Sequence, residues 1–302
     1  MNDPLIREID ALRKERNAVI MAHNYTNPEI QDIADFTGDS LELSLRARDA
    51  HAPCIVFCGV SFMAETAKIL APESTVLNPA PDAGCKMADM ATAEAVRAYK
   101  KNHPGTVLVA YVNTTAAVKA EVDICCTSAN AEKVVASIPK DKPIMFLPDR
   151  NLGRNIMDSL KRPMELWPGC CPVHDRITPG EIAAARRAHP GAEVIVHPEC
   201  TPEVVGAADH ALSTGAMLRL LPGSQSESFI VGTEYGIMHR MVKENPGKRF
   251  YELEPRPCCE DMKRVTLEKV RDALRDNAPQ VVLPVELMDR ARRAIERMLE
   301  IK

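Results

Sequence analysis

Three segments of the chain repeat one pattern, and this repeat limits the possible fold more than any other feature. The segments are "RKERNAVIMAHNY" (13–25), "KKNHPGTVLVAY" (100–111) and "RRAHPGAEVIVHP" (186–198). In the second and third, the end of an amphipathic helix is followed by Pro-Gly, which stops a helix, and then by an apolar run typical of a buried parallel strand. A repeat at a fixed period predicts a chain built from equivalent structural units.

The period is close to 87 residues. The predicted strands end at His23, Tyr111 and His197, which lie 88 and 86 residues apart. Each unit alternates strand and helix, which favours a small parallel sheet covered by helices. We therefore predict an α/β fold in which three pseudo-threefold-related, Rossmann-like domains surround a central active site. The expected domains are 1–84, 85–170 and 171–302, and the last includes a C-terminal helical extension that packs onto an existing domain.

Composition narrows the class of partner. The chain has 302 residues, 45% of them hydrophobic, which is enough for a substantial core. No apolar run approaches the roughly 18 residues of a membrane span, and the start "MNDPLIREID" lacks the pattern of a signal peptide. The net charge is −4 and the basic residues are scattered, which gives no electrostatic surface for nucleic acid or anionic lipid. We expect a cytoplasmic protein whose partners are small molecules, with no nucleic acid and no membrane.

Polar residues follow the strands with the same period. They are Tyr25, Asn113 and Glu199, two positions beyond the strand ends, and Ser40, Ser128 and Thr214, seventeen positions beyond them. Because open α/β sheets bind ligands beyond the carboxyl ends of their strands, we expect all six residues at one central site. The three hydroxyls are each expected to open a helix, where they either act as ordinary caps or help the helix start to bind an anion. Glu199 is the only carboxylate among the strand-end positions, which makes it a candidate general acid or base.

The ten cysteines are expected to be core residues or metal ligands, because disulfide frameworks are rare in a reducing compartment. Cys54 and Cys58 flank a predicted buried strand, which favours a core role. One cysteine in each unit shares an offset of 60 or 62 residues from the strand end, and these are Cys85, Cys171 and Cys259. Three thiolates do not complete a structural zinc site, but they fit a [4Fe–4S] cluster with one open iron. Offsets alone leave the neighbours Cys170 and Cys258 nearly as suitable.

Short motifs along the whole chain resemble those of the quinolinate synthases, iron–sulfur enzymes of NAD biosynthesis. The motifs are "AHNY" (22–25), "GDS" (38–40), "GCKMADM" (84–90), "YVNTTAAVKA" (111–120), "CTSANA" (126–131), "PDRNLG" (148–153), "WPGCCPVH" (167–174), "VHPEC" (196–200) and "STGAM" (213–217). The W-x-G-x-C-x-x-H pattern of the family assigns Cys171 rather than Cys170 as a ligand. Its C-x-x-M-K pattern, read in "CCEDMK", assigns Cys259 rather than Cys258.

The resemblance also implies a reaction, a transferase- and dehydratase-type condensation. Iminoaspartate and dihydroxyacetone phosphate would form quinolinate with loss of phosphate and two waters, and the open iron would act as a Lewis acid. A transient hand-over of iminoaspartate from an L-aspartate oxidase is the expected protein contact. The substrate-binding residues implied are His23, Ser40, Tyr111, Asn113, Ser128, His174, His197, Glu199 and Thr214, with His174 on the cluster side. Glu199, Tyr25 and His197 are the implied catalytic residues.

Two other functions agree with three cysteines in a three-unit chain. One is a radical iron–sulfur enzyme of the diphthamide-synthesis type, which cleaves S-adenosylmethionine. The other is a non-catalytic iron–sulfur binding protein. A binding protein would not explain three hydroxyls at predicted helix starts together with a single central glutamate.

Overall fold

The structure, a computed structural model, describes residues 3–301. It contains three four-stranded, all-parallel sheets flanked by helices, which confirms the predicted α/β class with three small Rossmann-like units. Each sheet lies inside one of the predicted domain ranges, although the outer ends of those ranges, residues 1 and 302, lie outside the described residues. The domain boundaries themselves stay a prediction.

The helices and strands follow one order in each unit. Unit one contains α1 (Pro4–Glu15), β1 (Ala18–His23), α2 (Pro28–Ile33), β2 (Phe36–Gly38), α3 (Ser40–Asp49), β3 (Cys54–Cys58), α4 (Ser61–Leu70) and β4 (Thr75–Leu77). Unit two contains α5 (Ala93–Asn102), β5 (Val107–Tyr111), α6 (Ala116–Lys119), β6 (Ile124–Cys126), α7 (Ala131–Ser137), β7 (Ile144–Leu147), α8 (Arg150–Leu160) and β8 (Glu165–Leu166). Unit three contains α9 (Pro179–Ala188), β9 (Glu193–Val196), α10 (Pro202–Ala207), β10 (His210–Ala211), α11 (Thr214–Leu220), β11 (Ser228–Gly232), α12 (Met238–Glu244) and β12 (Arg249–Glu252). Two further helices, α13 (Leu267–Asp276) and α14 (Val285–Glu300), follow unit three.

The three sheets share one strand order, in which the second strand of the unit precedes the first, third and fourth. The register at the carboxyl ends defines equivalent residues, since Ala22 pairs with Cys58, Ala110 with Leu147, and Val196 with Gly232. The next residues on the first strands are His23, Tyr111 and His197. On the third strands they are Gly59, Pro148 and Thr233, followed by Val60, Asp149 and Glu234.

The repeated Pro-Gly segments end helices as predicted. Helices α5 and α9 stop just before them, and Gly105 and Gly191 adopt φ values of 89° and 84°. Side chains other than glycine seldom adopt this left-handed region, so the glycines let the chain turn directly into β5 and β9. In unit one, Asn17 takes the same role with φ 49°.

The C-terminal extension packs back onto the first two units. Helix α13 lies against α1, and α14 lies against α6 and β6. On α14 the side chains of Met288, Ile295 and Met298 are buried in the core of unit two. From residue 3 to residue 301, none of the helices combines the length and the apolar character that crossing a membrane requires.

Candidate functional site

The carboxyl ends of the three sheets meet at one cavity of about 340 Å³. Its lining includes every residue that the sequence selected: His23, Tyr25, Ser40, Cys85, Tyr111, Asn113, Ser128, Cys171, His174, His197, Glu199, Thr214 and Cys259. The three sheets have the same strand order, so residues at the same offset from the strands lie at the same edge of each sheet. The residues that repeat in the sequence therefore line one cavity in the fold. The individual roles of these residues stay predictions.

One cysteine from each unit faces the cavity in the same local setting. A backbone N–H three residues further along the chain favours the thiolate of each: Ala88 for Cys85, His174 for Cys171 and Met262 for Cys259. The neighbouring cysteines differ, since burial and Asp175 raise the pKa of Cys170, and burial and Glu234 raise that of Cys258. N–H contacts to sulfur are typical of iron–sulfur ligands. The setting therefore favours Cys171 and Cys259 over their neighbours.

The raised pKa values of the three thiols indicate that a bound cation would stabilise their thiolates. Burial raises the pKa of Cys85 to about 12 and that of Cys259 to about 11, with negative charge nearby adding to the effect. Burial likewise raises the pKa of Cys171 well above the ordinary thiol value. Thiolates in this cavity therefore need a bound cation to stabilise them, and binding one would release protons. Three thiols, one from each unit, are a donor set that suits a [4Fe–4S] cluster with one open iron.

Glu199 occupies the centre of the polar network. Its Oε1 accepts a hydrogen bond from the Tyr111 hydroxyl at 2.5 Å, and its Oε2 lies 2.7 Å from Nδ1 of His174. Burial alone would raise the pKa of Glu199, but the imidazoles of His197 and His174 and the Tyr111 hydroxyl outweigh it and hold the pKa below its ordinary value. Glu199 is therefore ionised at neutral pH and able to accept a proton.

His174 joins Glu199 to the cysteine of unit two. Its Nδ1 is 3.2 Å from Cys171 Sγ, and the ligand atoms of Cys171, His174 and Glu199 lie within 4.8 Å of one another. These three residues are a possible small metal site by distance alone. The hydrogen bonds of Glu199 to His174 and to Tyr111 instead favour a proton-handling role for the carboxylate.

His23 and His197 take the same orientation in units one and three. Nδ1 of His23 accepts the N–H of Tyr25, and Nδ1 of His197 accepts the N–H of Glu199. Burial lowers the pKa of His23 to about 4 and that of His197 to about 3, so both rings are neutral at pH 7. With Nδ1 accepting, the proton of each neutral ring resides on Nε2. Each ring thus has one N–H donor left for a ligand.

The repeated hydroxyls are not helix caps. Helices α3 and α11 begin at Ser40 and Thr214, but Asp39 and Ser213 accept the hydrogen bonds of their first turns. The prediction that Ser128 opens a helix is wrong, because α7 begins at residue 131 and its N-cap position is Asn130. Helices α7 and α11 have seven residues each, so their dipoles are small. An anion in the cavity would be bound chiefly by the hydroxyls.

The sequence analysis missed two buried carboxylates that hold the cysteine loops. Asp149 Oδ2 accepts the N–H of Cys171, and Glu234 Oε1 accepts the N–H of Cys259, both at 3.3 Å. Burial and the nearby Glu199 raise the pKa of Asp149 to about 8, and burial raises that of Glu234. Both residues stand two positions beyond the third strand of their units. The same periodic comparison, extended from the first strands to the third, could have found them.

Three parallel sheets around a cavity with one thiol from each define a class of protein, the three-unit α/β proteins with a central three-cysteine site. The chain belongs to the family described as "NadA: Quinolinate synthetase A protein", whose family model matches residues 7–300. It is 54% identical over 297 residues to the quinolinate synthase of Methanoregula boonei, covering 98% of each chain. It is 51% identical to that of Desulforudis audaxviator, with 100% of this chain and 99% of the relative covered. It is 47% identical to that of Thermus thermophilus, with 99% and 98% covered.

Proposed function

We propose that this chain is a quinolinate synthase, which condenses iminoaspartate with dihydroxyacetone phosphate to quinolinate and releases phosphate and two waters. Family membership and the names of relatives about half identical over nearly the full length support this proposal. The observation that carries it is the meeting of three thiols and a set of neutral hydrogen-bond donors around one ionised glutamate in a single cavity.

The cavity suits substrates with several anionic groups. Iminoaspartate has two carboxylates and dihydroxyacetone phosphate has a phosphate. The donors that face these groups are the hydroxyls of Ser40, Ser128 and Thr214 and the Nε2–H groups of His23 and His197. Thr214 Oγ1 already accepts a hydrogen bond from Asn24 Nδ2 at 3.0 Å, which leaves its proton for a ligand. Buried donors aimed at anionic oxygens make charge-assisted hydrogen bonds, which are stronger than neutral ones.

Glu199 and Tyr25 are proposed to move protons. The reaction needs at least an imine–enamine tautomerisation and two dehydrations. Glu199, whose pKa is lowered, accepts a proton from the substrate at Oε1 or Oε2, while His174 and Tyr111 hold it in place. Tyr25 has a pKa raised well above the ordinary value by burial and by Glu199, so it keeps its proton and can only donate. An acid and a base with well-separated pKa values therefore line one cavity.

Cys85, Cys171 and Cys259 are proposed to hold a [4Fe–4S] cluster. When bound, the cluster supplies a Lewis-acidic iron that polarises a hydroxyl or carboxylate of the substrate. The chain contributes backbone N–H groups that stabilise the three thiolates. It also contributes the carboxylates of Asp149 and Glu234, which accept hydrogen bonds from the backbones of Cys171 and Cys259. These carboxylates are outer-shell residues of the kind that orient metal ligands.

An anaerobic assay with both substrates tests the proposal. We expect quinolinate, detected by mass spectrometry, together with one phosphate per quinolinate. Cys171→Ala should remove both the cluster and the activity, whereas the matched variant Cys170→Ala should keep both. A parent protein that carries iron and sulfide but makes no quinolinate would contradict the proposal. Cleavage of S-adenosylmethionine under reducing conditions would instead indicate a radical enzyme.

A further inference from the structure

The three cavity residues Tyr25, Asn113 and Glu199 share one main-chain setting. Each lies between two carbonyl groups of its own turn, and in every unit one side-chain nitrogen donates hydrogen bonds to both carbonyls. We call this arrangement a carbonyl clamp. The residues that supply the nitrogen are Gln31, Lys119 and Asn155.

In unit one the clamp holds the turn that contains Tyr25. Nε2 of the buried Gln31, on α2, lies 3.1 Å from the carbonyl oxygen of Asn24 and 2.8 Å from that of Thr26. The carbonyl oxygen of Gly236 in unit three lies 2.9 Å from the same nitrogen. Because carbonyl oxygens only accept hydrogen bonds, the nitrogen of the amide must face all three. Oε1 of Gln31 is left buried without a partner among residues 3–301, so the clamp is kept at a cost in hydrogen bonding.

In unit two a lysine takes the place of the glutamine. Lys119, on α6, is fully buried and stands eight positions beyond the strand end, as Gln31 does in unit one. Its Nζ lies 2.7 Å from the carbonyl oxygen of Val112 and also donates to that of Thr114. Oδ1 of Asn113, between these carbonyls, is buried and has no partner in the part of the chain that the structure describes. Because Asn113 lines the cavity, this oxygen is available to a donor group of the ligand.

In unit three the clamp comes from a neighbouring unit. The residue eight positions beyond the strand end is Val205, which has no side-chain donor. Nδ2 of Asn155, on α8 of unit two, lies instead 2.8 Å from the carbonyl oxygen of Pro198 and 2.9 Å from that of Cys200. These two carbonyls flank Glu199. Three residue types on three helices thus make the same pair of contacts, which indicates that the contacts serve the residue between the carbonyls.

We infer that the three clamp residues are positioning residues, each of which holds one turn so that its middle side chain faces the cavity. Without its clamp, a turn has two buried carbonyls that need new partners, and a rearrangement that supplies them also turns the middle side chain. The inference rests on the proposed function, in which Tyr25 and Glu199 move protons, and on the predicted substrate contact of Asn113. Each clamp variant should therefore show the kinetic signature of the residue that it positions.

The first test replaces Lys119 in the cluster-loaded protein. Lys119→Met keeps an unbranched side chain of similar length and removes the N–H donors, so KM for at least one substrate should rise on the order of tenfold with kcat near the parent value. Lys119→Gln supplies the donor that unit one uses and should keep the parent KM. Lys133→Met, at an exposed lysine of the same unit, is the control. An unchanged KM or a loss of iron in Lys119→Met would overturn the inference, and so would a raised KM in Lys119→Gln.

The second test asks whether the other two clamps have the opposite signature. Gln31→Met and Asn155→Leu should lower kcat on the order of tenfold to a hundredfold and leave KM near the parent value, because Tyr25 and Glu199 move protons and a small misplacement of such groups slows the reaction. A merely structural role would give one common signature, or loss of iron, in the clamp variants of all three units. Either result would overturn the inference.

A double-mutant cycle asks whether Lys119 acts through Asn113. Asn113→Ala has no amide for the turn to present to the cavity. The double variant Asn113→Ala/Lys119→Met should therefore have the KM of Asn113→Ala alone, because the effects of residues that act through one contact are not additive. Increases in KM that multiply in the double variant would show that Lys119 acts elsewhere and would overturn the inference.

The last test needs no activity. The chain has five tyrosines, and 3-fluorotyrosine gives each one a fluorine resonance, of which Tyr25→Phe identifies one. The Tyr25 resonance should broaden or split in Gln31→Met, where the turn is no longer held in one arrangement, and should stay narrow in Gln31→Lys and in Lys119→Met. A single, narrow Tyr25 resonance in Gln31→Met would overturn the inference. If the parent makes no quinolinate, the proposed function fails, but these line widths still decide whether Gln31 positions Tyr25.

Discussion

Units one and three share their backbone plan but differ in charge. Two positions beyond the equivalent histidines His23 and His197, unit one has Tyr25 and unit three has Glu199. Two positions beyond the third strand, unit one has Val60 and unit three has Glu234. Both units nevertheless contribute a neutral histidine, a helix-start hydroxyl and a thiol to the cavity. The repeat thus preserves the thiol, hydroxyl and histidine positions, while at the compared positions after the strands only unit three has carboxylates.

The two cysteine loops are also anchored in opposite ways. In unit three the buried Glu234 accepts the N–H of Cys259. In unit one Ser61, which follows Val60, donates both its N–H and its hydroxyl to the carbonyl of Ala83. One loop is therefore held by a buried charge and the other by neutral hydrogen bonds, although both place a cysteine at the same cavity. Substitutions in the two units measure how far this difference in charge matters.

The largest expected effect is loss of the proposed cluster, and it should be equal for the cysteine variants of units one and three. Cys85→Ala or Cys259→Ala removes one of three thiolate ligands and should abolish the cluster, which otherwise gives about four irons and four sulfides per chain. Iron and sulfide analysis of anaerobically prepared protein measures this. Cys54→Ala in unit one and Cys258→Ala in unit three are the matched controls and should keep the cluster. A unit-three variant that keeps its iron while the unit-one variant loses it would break the equivalence.

Glu199→Gln should affect chemistry alone. Gln keeps the size and reach of the side chain but cannot take a proton, and general acid–base catalysis typically supplies roughly 10²–10⁴-fold. We expect kcat to fall by that factor with iron content unchanged. Glu203→Gln, an exposed glutamate on α10, is the control and should behave as the parent. Turnover within a factor of ten of the parent would remove Glu199 from the proton-transfer role and would favour Tyr25 or His197.

Glu234→Gln should lower stability by about 3 kcal/mol. Glu234 is fully buried and its Oε1 lies 2.9 Å from Nζ of Lys263, so the variant leaves a nearly buried cation without its partner. Urea unfolding of the parent and the variant measures the difference. Glu260→Gln, at an exposed glutamate next to Cys259, should change stability by less than about 0.5 kcal/mol. Equal stability of the parent and Glu234→Gln would show that the Cys259 loop does not need a charged carboxylate to anchor it.

The hydroxyls should act alike in both units. Ser40→Ala or Thr214→Ala removes a hydrogen bond to a charged group, worth roughly 1.5–3 kcal/mol, or on the order of 10- to 150-fold in substrate affinity. Ser213→Ala is a matched control, because Ser213 is the actual cap of α11 and its loss should cost about 1 kcal/mol of stability with affinity intact. Substrate titration beside calorimetric melting separates the two effects. Lost stability with full affinity in Thr214→Ala would exclude the anion-binding role.

The smallest effect is a pH dependence shared by His23 and His197. Each has a lowered pKa in the fold, so the unfolded chain takes up the proton first as pH falls below about 6.5. For each histidine, the free energy of unfolding should therefore fall by on the order of 2 kcal/mol when the pH is lowered from 7 to 5. His23→Gln should lose less stability than the parent over this range by that amount, which urea unfolding at both pH values measures. His103→Gln, at an exposed histidine, should follow the parent.

The fold class and most residues of the site could be predicted because they recur along the sequence with one period. The strand ends, the thiols and the hydroxyls recur at nearly constant offsets, and parallel sheets with one topology turn equal offsets into one place in space. Ser128 was misplaced because Asn130 lies at the N-cap and its side chain accepts the N–H of Thr127 in the preceding turn, a local arrangement that spacing does not encode. Asp149 and Glu234 were missed because the periodic comparison was applied only to the first strand of each unit, and the cysteine loops that they contact are brought close only by folding.

The docking of the last two helices has a consequence for how the protein is made. Helix α13 covers α1 of unit one and α14 covers part of unit two, so neither of the first two units has its full core until residues 267–300 have left the ribosome. Cys259 is also the last of the three thiols to be synthesised. A nascent chain therefore exposes apolar surface of its first two units, and between residue 171 and residue 259 it has two of the three cavity cysteines without the third. The proposed cluster can therefore gain its third thiolate ligand only after Cys259 has left the ribosome.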